Sequence, residues 1–194
     1  HPGNPLVSPD TAVYDVENFR DPFVFFNQET GEWWMLIGTR DIRYPGQRAG
    51  CVARFTSTDL IHWVSAGPLW SPHIVPHGDC PALIKHEEAW YLFYLQRNTR
   101  YRRAASPLGP FERLPVRNLG TVPAIANSRL YSDGRRWITL PSLLRFAEER
   151  NYNEAQYGGP LLIPREVVFF EDGTAGERPV REIMEAIDRL PEMP

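Results

Sequence analysis

Two short acidic triplets carry the most specific chemistry in the chain: Arg20-Asp21-Pro22, preceded by Phe19, and Asp79-Cys80-Pro81. Each stands immediately ahead of an apolar run, Phe23-Val24-Phe25-Phe26 in one case and Ala82-Leu83-Ile84 in the other. A pair of converging carboxylates is what cleavage of a glycosidic bond requires. One group protonates the leaving oxygen, and the other attacks or stabilises an oxocarbenium-like centre. Arg20 adds a planar fork of donors that can hold a carboxylate or bind sugar hydroxyls. An Asp before Pro is also a common turn former, through a local bond to its own backbone. Two such residues at the heads of successive repeats favour the chemical reading.

The repeat is what would position them. Phe19–Phe26 leads through Glu29-Thr30-Gly31 into Trp33–Gly38, then Cys51–Ser57 and Ile61–Val64. The second copy runs Asp79–Ile84, a turn at His86-Glu87-Glu88, Trp90–Tyr94, Tyr101–Ser106 and Phe111–Leu114. Four short strands in about 45 residues is the size of a propeller blade. In such a blade the innermost strand lines a central channel, so Asp21 and Asp79 would meet at one mouth of it. A weaker third copy places Ser128–Tyr131, a turn at Ser132-Asp133-Gly134, and Arg136–Leu140 in the same frame. The expected organisation is one all-β domain over 1–194, an incomplete five-bladed type with three or more blades. Its parts are a blade at 19–64, a blade at 79–114, a partial blade at 124–144 and closing strands at 157–179. Leu161–Pro164 and Val167–Phe170 are read as strands in that last part. A helix over 180–190 follows Pro179, with Val180, Ile183, Met184, Ile187 and Leu190 on one face.

Composition agrees with many short strands: 14 glycines, 19 prolines and 12% aromatic residues in 194. A net charge of −3 provides no electrostatic footprint for nucleic acid or an anionic membrane. No apolar run is long enough to span a bilayer. Five histidines are scattered without metal-ligand spacing, and neither a metal nor a cofactor is expected. Cys51 and Cys80 are too few for a disulfide framework; whether they pair is left open by spacing. Most of the six tryptophans are expected in blade cores. Arg165-Glu166 is read as an ion pair between blades.

Phe19-Arg20-Asp21-Pro22 resembles the Arg-Asp-Pro motif of glycoside hydrolase family 32, the invertases, levanases and inulinases. Asp79-Cys80-Pro81 is similar to its Glu-Cys-Pro motif, with Asp in place of Glu. Ser57-Thr58-Asp59-Leu60-Ile61-His62-Trp63 resembles a Ser-x-Asp-Leu-x-x-Trp stretch shared with family 43. Leu162–Val167 and Glu177–Val180 look like segments that end the family propeller, so the resemblance runs from about Asn4 to Ile187. It implies a retaining β-fructosidase cleaving sucrose or fructans. Asp21 would be the transition-state stabiliser and Asp79 the acid/base, with Arg20, Phe19 and Cys80 around the carbohydrate substrate. The family nucleophile, in an Asn-Asp-Pro-type motif, has no counterpart here. The position of Ile125-Ala126, often aromatic in the family, is aliphatic. The first two blades would then come from a further segment or a partner chain. Two other functions stay open on the residues alone: a family 43-type arabinosidase or xylosidase, and a non-catalytic propeller that binds sugar or protein.

Overall fold

The structure is a computed structural model, and it describes residues 1–96, 98–114, 125–126, 130–143 and 161–190. These fall into two compact units, His1–Gln96 with Tyr101–Arg113, and Arg97–Arg100 with Leu114–Pro194.

In the first unit, β1 (Arg20–Asn27), β2 (Glu32–Arg40), β3 (Gly50–Ser57) and β4 (Val64–Trp70) form an antiparallel sheet in chain order. β1 alternates: Asp21, Phe23, Phe25 and Asn27 turn inward, while Arg20, Pro22, Val24 and Phe26 are exposed. That is the period of a strand with one buried face. β2 is instead buried continuously from Trp34 to Thr39, because both of its faces are covered. On one face Trp34 and Leu36 join Val52, Trp70, Leu83, Trp90, Leu92 and Tyr94. On the other, Met35 and Ile37 join Tyr14, Cys51, Ala53 and Phe55. The segment before β1 therefore caps one face, and the second sheet covers the other. That sheet holds β5 (Asp79–His86), β6 (Ala89–Gln96) and β7 (Asn98–Ala104) in the order β5-β6-β7.

Local chemistry explains the turns. Asn27 is buried and its Oδ1 accepts the Glu29 N–H at 3.0 Å, while Gly31 takes the positive φ of 69° that closes the hairpin. The expected strand at Ile61–Val64 is mostly a turn, and β4 starts only at Val64. Ser57 Oγ accepts the N–H groups of Asp59 and Leu60, and Asp59 Oδ1 accepts those of Ile61 and His62 at 2.9 and 2.7 Å. Side chains that satisfy the backbone in this way compete with a sheet ladder. The Ser-x-Asp-Leu-x-x-Trp stretch is thus the β3–β4 connection, sealed by Trp63 Nε1 donating to Leu60 O. Where a fourth strand was expected at Phe111–Leu114, the described contact is one bridge between Arg103 and Glu112.

In the second unit, β8 (Ile125–Ala126) pairs with β11 (Ser142–Leu143). β9 (Leu130–Ser132), β10 (Trp137–Thr139), β12 (Arg165–Phe169) and β13 (Ala175–Pro179) form a sheet ordered β13-β12-β10-β9. The expected partial blade thus gives β9 and β10 to one sheet with the closing strands, while its β8 and β11 pair separately. Leu161–Pro164 is not a strand: Leu161 makes an isolated bridge, and β12 starts just after Pro164, which has no N–H to contribute. Arg165 and Glu166 do not pair with each other. They point to opposite faces and bond across the hairpin to Glu177 at 3.0 Å and Arg178 at 3.1 Å. Helix α1 (Arg181–Ile187) is shorter than 180–190. Val180 is its N-cap without a side-chain cap bond, and no residue of the helix is buried. Ile187 and Leu190, expected on a packed face, are 40% and 67% exposed. Without packing, a helix this short gains little from a further turn. Expectations resting on 115–124, 127–129 and 144–160 lie outside the described residues.

Asp41, just past β2, anchors the end of the first sheet. Its carboxylate is fully buried and takes two bonds from Arg43, from Nε at 2.8 Å and from Nη2 at 2.6 Å. Those bonds hold the carboxyl below the usual carboxylate range, against the opposing effect of burial. A lowered folded-state value stabilises above the unfolded value, near 3.9, and that contribution is lost as pH falls through the folded one. Asp41→Ala should cost roughly 1–3 kcal/mol in urea unfolding at pH 7. The difference from the parent should shrink below about pH 4, which paired denaturation curves would read.

Candidate active site

Pro22 and Pro81 fix the frame in which the two triplets are compared. Each is the third residue of its strand, and each is preceded by a non-glycine residue at positive φ, Asp21 at 58° and Cys80 at 47°. Both strands also break register there, between Arg20 and Phe23 in β1 and between Asp79 and Ala82 in β5. The same bulge is built twice. Its left-handed residue costs on the order of 1–3 kcal/mol, a strain retained where the surroundings over-determine it. This corrects the expected equivalence of Asp21 and Asp79. Asp21 matches Cys80, Arg20 matches Asp79, and the carboxylates stand one residue out of step.

With that offset, each carboxylate bonds the other triplet. Cys80 donates its backbone N–H to Asp21 Oδ2 at 3.2 Å, and its thiol lies 3.4 Å from the same oxygen. Arg20 donates from Nη2 to Asp79 Oδ1 at 3.1 Å. So each triplet supplies a carboxylate to the other, Asp21 to Cys80 and Asp79 to Arg20. Arg20 is steadied from behind by Asn18, whose Oδ1 accepts from Nη1 at 2.9 Å. Asn18 in turn donates to Asp15 Oδ2 at 2.7 Å, the main reason the Asp15 carboxyl lies below its ordinary range. The Arg20–Asp79 pair keeps access to solvent, with side chains 43% and 24% exposed.

Of the expected site residues, Arg20, Asp21, Asp79 and Cys80 are brought together. Phe19 is turned into the core, its ring packed on Tyr14 and edge-on to Phe55. Cys51 and Cys80 form no disulfide: Cys51 is buried among Tyr14, Met35, Ile37, Ala53 and Phe55. Asn18 and two glycines were missed. A methyl group on Gly38 would stand 2.6 Å from Gly78 O and 3.1 Å from Asp79 Cα. Gly38 faces Arg20 across β1–β2, so the segment entering β5 lies against the backbone that carries Arg20. A lone glycine inside an apolar strand is the sequence signal for such an approach. Among the described residues, no group of three or more His, Cys, Asp or Glu is placed to hold a metal ion. No described helix is long and apolar enough to cross a membrane.

Burial pushes the Cys51 thiol up to about 12, with the Asp41 charge adding to the rise and Arg43 opposing it. The thiolate is the reactive form. In the native protein at pH 8, Cys51 should therefore resist iodoacetamide, and it should label at the rate of a free thiol in denaturant. Peptide mass spectrometry distinguishes it from Cys80.

Residues 1–91 match the model of the glycosyl hydrolases family 32 N-terminal domain. A curated relative, the raffinose invertase of Escherichia coli, is 28% identical over 201 residues, covering 89% of this chain. The chain spans only 39% of that relative. Among solved structures, fructan 1-exohydrolase IIa from Cichorium intybus with 1-kestose superposes with a TM-score of 0.73 at 19% identity, over 95% of this chain and 39% of that one. The β-fructofuranosidase of Bombyx mori gives 0.70 at 16% identity, over 95% and 42%. At these identities the structures speak for fold alone, and that fold is the β-propeller. Taken with the motifs around Asp21 and Asp79, the match over residues 1–91, just under half of the chain, supports glycoside hydrolase family 32.

Proposed function

We propose that this chain carries part of the active site of a β-fructosidase that releases terminal fructose from sucrose or a fructan. The observation that carries the reading is the exchange of carboxylates between the two bulged strand heads. In that exchange Asp21 is bonded by Cys80, the chain neighbour of Asp79, and Asp79 by Arg20, the chain neighbour of Asp21, which supports a shared role. The relatives support the substrate class: one is named an invertase, and one structure was solved with 1-kestose.

The roles are those the family resemblance implies, and the contacts are compatible with them. Arg20 occupies Oδ1 of Asp79, so the proton Asp79 delivers belongs to Oδ2. As the bond from the anomeric carbon to the leaving oxygen breaks, its electron pair goes to that oxygen, which takes this proton. Positive charge then builds on the fructosyl ring. Asp21, held by Cys80 N–H, accepts hydrogen bonds from ring hydroxyls and offsets that charge. Arg20 is a positioning residue for Asp79 in this scheme. The attacking carboxylate of a retaining mechanism is not assigned to any residue of this chain.

Asp21→Asn, in the protein that carries this chain, should lower kcat on sucrose by about 100-fold or more with an unchanged circular dichroism spectrum. Fructose release measured by chromatography decides it, and undiminished turnover would sink the assignment.

A further inference from the structure

Three glycines make the chain entering β5 touch main chain on both sides. A methyl group on Gly38 would stand 2.6 Å from Gly78 O, with Gly78 C and Asp79 Cα each at 3.1 Å. One on Gly78 would collide with the Cys51 carbonyl oxygen and lie 3.1 Å from Val52 Cγ2. One on Gly50 would stand 2.5 Å from His77 N. Every one of these close neighbours but the Val52 methyl is backbone, which cannot swing aside as a flexible side chain would. Gly38 lies opposite Arg20 in the ladder, and Arg20 bonds Asp79 at 3.1 Å. The height of Asp79 above β2 is therefore set by the absence of a side chain at Gly38.

We infer that Gly38 and Gly78 are positioning residues for the Asp79 carboxyl, clamping its backbone between the C-terminal end of β2 and the start of β3. The inference rests on the reading of Asp79 as proton donor, and it deepens that reading by naming what sets the donor's reach. Relieving the contact at Gly38 needs a displacement of the Gly78–Asp79 backbone of about 1 Å, an error that costs about 100-fold in rate. The cost has a signature, because a misplaced acid matters most when the leaving group is a poor one. A glucosyl leaving group needs the proton, whereas 4-nitrophenolate departs with little help. A role in folding alone would make no such distinction.

The test compares sucrose with 4-nitrophenyl β-D-fructofuranoside in the protein that carries this chain, using Asp79→Ala, Gly38→Ala and Gly78→Ala. For the two glycine variants the expected result is a loss of about 100-fold in kcat/KM on sucrose and under about 5-fold on the nitrophenyl substrate. Their thermal unfolding should stay within a few degrees of the parent. Equal losses on the two substrates in a folded variant, or none, would overturn the inference. So would failure of both glycine variants to fold, since the contacts would then serve folding rather than acid placement. If Asp79→Ala itself shows no preference between the substrates, the assignment of Asp79 as proton donor fails first. A selective Asp79→Ala beside an unselective Gly38→Ala leaves that assignment standing and removes only the clamp.

Discussion

Main chain touches main chain where the segment entering β5 crosses the ends of β2 and β3, and the first unit is organised around that contact. Gly38, Gly50 and Gly78 leave no side-chain layer between the two sheets at this end. Further along the strands, large side chains fill the same space. Trp34, Leu36 and Trp70 from the first sheet meet Leu83, Trp90 and Tyr94 from the second. The two sheets are thus pinched at the carboxylate end and wedged apart by aromatic rings beyond it. Close packing of those rings holds the wedge, since a buried side chain has few low-energy alternatives at interior density. Arg54 over the Trp34 ring, at 4.4 Å, adds a cation–π contact to the layer.

At the pinched end, both strand heads are bulged by the same device: a residue at positive φ followed by proline. Proline cannot donate to the ladder, so a break in pairing costs less there. The residue before it stands outside the extended region that a following proline ordinarily favours, and it redirects its neighbours. In β1 the redirected residue is Asp21, in β5 it is Cys80, and the donor and acceptor of one bond are the two left-handed residues themselves. Strain at one bulge is held in place by the other. Rigid placement of this kind suits chemistry that depends on fixed groups rather than on induced movement.

The second unit contributes a sheet of a different character. Its β12–β13 hairpin is cross-braced by ion pairs on both faces, Arg165–Glu177 and Glu166–Arg178. Only the first is largely withdrawn from solvent, with Glu177 at 2% exposure, and Thr139 donates to the same carboxylate. Pairs exposed to water, such as Arg178–Glu166, contribute little to stability, and register is the more useful consequence. Helix α1 is tethered by Arg136, which bridges Asp133 and Glu182, instead of by a buried face. Its apolar positions were legible in the sequence, but an amphipathic pattern says only that a face is available and not that anything covers it.

Most strands, most turns and the two acid–proline triplets were legible in the sequence alone. Period-two alternation, glycine and proline punctuation, and two acid–proline triplets are local signals, readable because each depends on neighbours a few positions away. Tertiary structure decided the rest. Which residue of one triplet matches which of the other depends on where each ladder slips, a property of two strands at once. That Phe19 packs inward, that Arg165 and Glu166 choose partners twelve residues on, and that Gly38 stands against Asp79 are likewise facts about segments distant in the chain. The physical reason is the range of the forces involved: hydrogen-bonded turns act within a few residues, whereas close packing acts between any surfaces the fold presses together.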